Sequence, residues 1–225
     1  MTQEQYKRDM VQAGKELYEK GLLVGTDGNI SIRVGKNEVL ITASGICKGK
    51  MQVQNITKVD MEGTVLWGQK PARDIRMHLA VYRQRPEIKA VVHAHPPVTT
   101  GYAMSEVSFD EVPLPEVMFA LKGIAVTKYT TPTTIEVPRE VTRVLKENPE
   151  SETILLANHG ALTISTIDVF DAFYKMEILE MFSKANIVSK ILGHTRYLNK
   201  EQMKNVNRLI QGEHPDSVIS PDTKD

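Results

Sequence analysis

The sequence predicts one domain of the mixed α/β or α+β class, and three observations carry that prediction. Some stretches repeat apolar residues every three or four positions, whereas others alternate or form short β-branched runs bounded by Gly, Asn, Asp and Pro. The 225 residues, 41% of them hydrophobic, suffice for one substantial core. No internal repeat or low-complexity tract is present, so solenoids and arrays are excluded.

In chain order, Tyr6, Met10, Ala13, Leu17 and Tyr18 mark an amphipathic helix over residues 3–20, ended by Gly21. Gly25-Thr26-Asp27-Gly28-Asn29 is turn-rich and leads into an alternating strand over 30–34. Gly35-Lys36-Asn37 then reads as a hairpin turn to a strand over 39–42. Strand-like pieces follow at 56–59 and 64–67, and a helix starting near Asp74 carries Met77, Leu79, Ala80, Val81 and Tyr82. A buried strand runs from Ala90 to His95, a helix is expected over 99–104, and 124–128 reads as extended. Residues 138–146 form a helix with Pro138 near its first turn. A second apolar strand runs from Thr153 and closes at His159. A long helix spans 167–192, where Phe170, Phe173, Tyr174, Ile178, Met181 and Phe182 fix the period and Gly193 marks the end. These boundaries give a domain over 1–212 and a frayed tail over 213–225, where Pro215 and Pro221 lie.

Lys plus Arg and Asp plus Glu each number 28, and no block of one sign occurs. A broad electrostatic footprint for nucleic acid or an anionic membrane is therefore absent, while a small anionic substrate remains open. No signal-peptide core or membrane-length apolar run is found, which leads us to expect a soluble cytoplasmic protein. Cys47 is the only cysteine, so an internal disulfide framework and cysteine-based zinc sites are excluded.

The chemistry begins with Val92-His93-Ala94-His95-Pro96. Side chains two apart on a strand project from one face, so both imidazoles can reach one metal ion. His159 closes the other apolar run, and three histidines at strand ends suggest one site with room for a substrate ligand. Three packed, hydrogen-bonded histidines are the alternative.

Four pieces occur together: Gly25-Thr26-Asp27-Gly28-Asn29-Ile30-Ser31, Ile41-Thr42-Ala43-Ser44-Gly45, Pro71-Ala72-Arg73-Asp74-Ile75-Arg76-Met77-His78, and the paired histidines with a later Asn158-His159-Gly160. In that order they resemble the class II aldolase/adducin family, and the likeness spans nearly the whole chain. The resemblance implies a three-layer αβα fold with a central, largely antiparallel sheet, one Zn2+ per subunit and a homotetramer. The implied metal ligands are His93, His95 and His159. The implied activity is that of an aldolase which splits a ketose 1-phosphate into dihydroxyacetone phosphate and an aldehyde. Substrates like L-fuculose 1-phosphate or a 5-deoxypentulose phosphate fit that theme.

Further roles follow from the same resemblance. Asp74 stands where the aldolases carry a glutamate and the related ribulose-phosphate 4-epimerases an aspartate, which makes it the general acid or base; as an alternative it is the N-cap of the following helix. Thr26, Asn29, Ser44 and Gly45 match the phosphate-binding segments, although turn chemistry explains the same residue types. Ala72 and Arg73 replace two serines common in relatives that bind sugar phosphates; Arg73 either supplies a guanidinium fork or is a solvated helix-end residue. Glu116 is a second acid/base or a surface residue, Val117 occupies the place of an expected tyrosine, and Tyr197 is a substitute acid or a packing residue. His78 is expected to pack beside the metal site, and His194 and His214 to be solvent-exposed or near a helix end. Two further readings stay open: 4-epimerisation of a pentulose phosphate or dehydration of a methylthioribulose-phosphate-like substrate on the same zinc site, and a non-catalytic domain like the adducin head.

Overall fold

The structure is a computed structural model that describes residues 1–105, 114–193 and 195–213. His194, His214, Pro113 and the expected tail beyond Glu213 lie outside the described residues.

The chain opens with α1 (Gln3–Glu19), capped by Thr2, whose hydroxyl accepts from the Gln5 amide at 3.2 Å. A meander of β1 (Asn29–Arg33), β2 (Glu38–Thr42), β3 (Ile56–Asp60) and β4 (Val65–Trp67) follows, all antiparallel. Next come α2 (Ile75–Gln84), β5 (Ala90–Ala94) and α3 (Pro97–Ala103), then α4 (Pro115–Leu121), β6 (Ile124–Val126) and α5 (Glu136–Glu147). The hairpin of β7 (Thr153–Leu156) and β8 (Gly160–Ser165) leads into α6 (Val169–Ile191) and α7 (Lys200–Ile210).

These strands form one sheet in the order β4-β3-β2-β1-β5-β8-β7-β6, antiparallel except for the β6–β7 pair. Both faces are buried because the strands carry apolar residues at both alternating positions. Ile30, Ile32, Leu40 and Val92 pack with residues of α1, α3, α4 and α6 on one side. Val39, Ile41, Val91 and Ile164 pack with α2 and α5 on the other. The expected three layers and largely antiparallel sheet are therefore present.

The differences have local causes. The apolar run from Thr153 does not end the sheet at His159; Asn158 adopts a left-handed backbone, φ 56°, and the chain turns back as β8. The short helix α4 has only seven residues, too few to establish a period, whereas α7 carries Met203, Val206 and Ile210 at helical spacing, a pattern that lies outside the elements expected from the sequence, and buries no residue among those described. The long helix starts at Val169 because Asp168 caps it, its carboxylate accepting from the Asp171 amide at 2.9 Å.

One contact fixes the chain directly after the paired histidines. Glu180 of α6, buried, accepts from the Val98 and Thr99 amides at 3.2 and 2.9 Å, which satisfies free donors at the start of α3. The segment leaving His95 is thereby tied to the long helix.

Candidate metal centre

The sheet brings the three histidines together from two distant stretches. Strand β5 lies between β1 and β8, with Asn29 opposite His93 on one side and Leu162 opposite His93 on the other. His95 follows the end of β5, and His159 sits on the turn between β7 and β8. The ring centroids are 4.8 Å apart for His93–His95, 4.8 Å for His93–His159 and 5.1 Å for His95–His159. One nitrogen from each ring lies within 4.8 Å of the other two.

Proton placement supports the use of these nitrogens as ligands. His93 Nδ1 donates to the Ala161 carbonyl at 2.9 Å, which fixes its tautomer and leaves Nε2 with a lone pair. His95 Nε2 lies 3.1 Å from that atom. Two nitrogens sharing one tetrahedral zinc at about 2.0–2.1 Å lie roughly 3.3 Å apart, so this pair needs little adjustment. Burial is the main force pushing all three imidazoles toward lower pKa; for His93 and His95 neighbouring imidazoles add to it, whereas for His95 and His159 the carboxylates of Asp27 and Asp74 oppose it. Neutral imidazole is the form that binds a metal. The residues present thus fit a divalent transition ion with an open coordination position.

Close packing fixes the ring of His95. A Cβ at Gly160 would lie 2.6 Å from the Ala94 carbonyl oxygen and 2.6 Å from His95 Cδ2, so only glycine leaves room for the imidazole there. Gly28 plays a matching part: its φ is +68° and a Cβ would lie 2.6 Å from the His93 carbonyl oxygen.

Asp74 is the N-cap residue of α2 by position, its carbonyl accepting from the Met77 and His78 amides, but its side chain makes no cap bond, so only the side-chain part of the N-cap reading is corrected. Its carboxylate instead accepts from Asn29 Nδ2 at 2.8 Å. Behind Asn29 runs a buried chain: His78 Nε2 is 2.5 Å from Asn29 Oδ1, Ser31 Oγ is 2.7 Å from His78 Nδ1, and Tyr82 Oη is 2.8 Å from Ser31 Oγ. Burial pushes the His78 pKa down to about 4, so its ring is neutral. With a proton on Nε2, each partner donates toward the next, and all four dipoles point at Asp74. His78 packs beside the site, as expected, and serves as a link in this chain.

A cleft of about 190 Å³ opens over these groups and is lined by Thr26, Asn29, Ser44, Gly45, Arg73, Asp74, His95 and His159 among others. Thr26, Gly45 and Arg73 are exposed, Ser44 is half-buried and Asn29 is buried with its amide already engaged by Asp74 and His78. Glu116 lies exposed on the first turn of α4 and does not line the cleft; nor does Tyr197, which is 38% exposed.

Asp27, Lys48, Pro132 and Thr133 also line the cleft without having been marked by the sequence, and the first two carry charge into it. Asp27, 63% exposed at its side chain, places Oδ2 3.9 Å from His95 Nδ1; its position inside the Gly25 to Asn29 loop was read as turn chemistry alone. Lys48 is buried in a short 3₁₀ turn, and Nζ donates to the Thr26 carbonyl at 2.6 Å. Nothing in the local pattern marks it, since a lysine beside two glycine-bounded turns reads as surface.

Comparison with known proteins places these features in context. Residues 8–187 match the profile described as Class II Aldolase and Adducin N-terminal domain. The 3-oxo-tetronate 4-phosphate decarboxylase of Haemophilus influenzae is 33% identical over 213 residues, which are 92% of this chain and 98% of that protein. An L-fuculose phosphate aldolase of Methanococcus maripaludis is 32% identical over 177 residues, 79% of this chain and 93% of that protein. A solved L-fuculose 1-phosphate aldolase superposes with a TM-score of 0.84 at 28% identity, covering 94% of this chain and 98% of that one.

Proposed function

The chain belongs to the class II aldolase and adducin N-terminal domain family, and from that premise we propose that it is a metal-dependent carbon–carbon lyase acting on a small phosphorylated sugar. The leading reaction is the reversible cleavage of a ketose 1-phosphate, of the L-fuculose or 5-deoxypentulose kind, into dihydroxyacetone phosphate and an aldehyde. The observation that carries this reading is the convergence of three neutral imidazoles beside a carboxylate held by a directed hydrogen-bond chain.

His93, His95 and His159 would hold the ion, with zinc the first candidate and other divalent transition ions accepted by the same ligands. When bound, such an ion supplies Lewis-acid polarisation of a substrate carbonyl oxygen. Asp74 moves the proton at the carbon next to the ketone, as a base in the direction of synthesis and as an acid in cleavage. Asn29 keeps that carboxylate aimed, and Thr26, Ser44, Gly45 and Arg73 hold the phosphate. Glu116 and Tyr197, outside the cleft of one chain, are proposed to act only if an assembly brings them to a neighbouring site. A homotetramer is proposed on the family likeness and on the exposed apolar residues of α6 (Tyr174, Met181, Ile187, Val188 and Ile191). A single domain over 1–212, a tail beyond it and a cytoplasmic location belong to the same reading.

A second reaction on the same site is decarboxylation of a phosphorylated 3-keto sugar acid, favoured by the 33% identical relative that is covered over 98% of its length. Product analysis separates the two. The metal-loaded protein is offered ketose 1-phosphates, 3-oxo-tetronate 4-phosphate and unphosphorylated sugars as controls. Two carbonyl fragments are the expected result; carbon dioxide release selects the decarboxylase, and an isomer or loss of water contradicts both.

A further inference from the structure

We propose that Lys48 is the resident counter-cation for the substrate's phosphate, completing the anion pocket formed by Thr26, Ser44, Gly45 and Arg73. The sequence motifs assign no role to this residue. The proposal rests on the lyase reading for the identity of the cleft, but its test needs no turnover.

The argument starts from burial. Lys48 is only 2% exposed, yet among the described residues its one hydrogen-bond acceptor is the Thr26 carbonyl at 2.6 Å, and no carboxylate forms an ion pair with it. A buried ammonium without an opposite charge is costly, and buried cations are ordinarily paired. Lys48 faces the same cleft as Ser44, Gly45 and Arg73, so the missing partner has a place to bind. The Thr26 carbonyl takes one of three donors and leaves two for an incoming oxyanion.

The surroundings hold this geometry. Helix α1 packs on the 3₁₀ turn closely: a Cβ at Gly14 would lie 3.3 Å from Lys48 Cβ, and one at Gly49 would strike the Tyr18 ring. The start of the stem is thus confined against α1, while the side chain lines the cleft. Burial draws its pKa down to about 8, against the pull of Asp27, Cys47 and Asp74, while His95 and Arg73 share the same cleft. The ammonium is therefore mostly charged near neutrality and is lost as pH rises past about 8. An arriving dianion supplies the missing stabilisation and keeps the proton in place. Phosphate is favoured over a carboxylate because the cleft wall offers two cations, Lys48 and Arg73, and the Thr26, Ser44 and Gly45 donors, more than the two oxygens of a carboxylate can accept from, and a dianion better offsets the pair against the Asp27 and Asp74 carboxylates that line the same cleft.

The test measures binding of inorganic phosphate to the full-length, metal-loaded protein by calorimetry, with acetate as the carboxylate comparison. Metal content and thermal unfolding are recorded for each variant. Lys48→Met is expected to weaken phosphate binding about tenfold or more, while Lys48→Arg stays within about threefold of the parent. Phosphate affinity of the parent is expected to fall between about pH 8 and about pH 10, an interval in which most of the ligand is already the dianion, and that fall should be absent in Lys48→Arg. A merely structural lysine that tethers the Thr26 loop would not produce this pH step. Parent-like phosphate binding in Lys48→Met overturns the proposal, as does the absence of phosphate binding by the parent or a loss confined to acetate. Should Lys48→Met fail to fold, the pH profiles of the parent and Lys48→Arg decide alone. Phosphate binding that depends on Lys48, in a protein that cleaves no carbon–carbon bond, would sink the lyase reading and leave this one standing.

Discussion

Asp74 receives one hydrogen bond from Asn29, and Asn29 is oriented in turn by the neutral ring of His78. Removing the amide should therefore act on the proton transfer before it acts on the metal. Asn29→Ala is expected to lower kcat about 10–100-fold with metal content retained, and to cost about 1–3 kcal/mol of stability because His78 Nε2–H loses its acceptor. Steady-state kinetics with urea unfolding checks both; an effect on KM alone would make Asn29 chiefly an anion ligand. At this scale the histidines and Asp74 were legible because their residue types sit in a spacing that chemistry restricts. Lys48 was not, since its burial comes from α1 packing over a turn that begins 29 residues after the helix ends at Glu19, a contact that no local pattern encodes. Asp74 does hold the N-cap position, but its side chain turns from the helix for a similar reason: the competing donor, Asn29, lies 45 residues earlier in the chain.

The strands set the ligand distances. Strands β5 and β8 run antiparallel with Ala94 opposite Ala161, so the turn carrying His159 returns directly beside His95, and Gly160 leaves the gap that the His95 ring fills. Gly160→Ala places a methyl group 2.6 Å from both the Ala94 oxygen and His95 Cδ2, and backbone cannot yield cheaply there. This variant is expected to fold with weakened metal retention, about tenfold or more by competition with a chelator; unchanged retention would show that the His95 position is not set by this contact. The apolar runs that become β5 and β7 could be read from the sequence because both faces are covered, leaving almost no polar position in them. Strand β8 was missed because a left-handed Asn158 turns the chain inside what reads as one run.

The whole molecule is a sheet clasped between two helical layers, with its chemistry at the edge where loops from β1, β2 and β5 meet the β7–β8 turn. The class and the layered arrangement were legible because burial on both faces of the sheet imposes short continuous apolar runs on its central strands, and one-sided burial imposes an apolar stripe on the helices that cover them. The short helix α4 was not, as seven residues are too few to set a period, and α7 was passed over although Met203, Val206 and Ile210 stand at helical spacing. An assembly that covers the apolar outer positions of α6 would complete the picture at this scale. Everything proposed for the site depends on one ion held by His93, His95 and His159. The most direct measurement is the metal content per chain of protein purified without chelator, compared with His95→Ala. The account predicts close to one divalent transition ion per chain in the parent and almost none in the variant; equal metal content in both, or a metal-free parent that still cleaves its substrate at full rate, would contradict it.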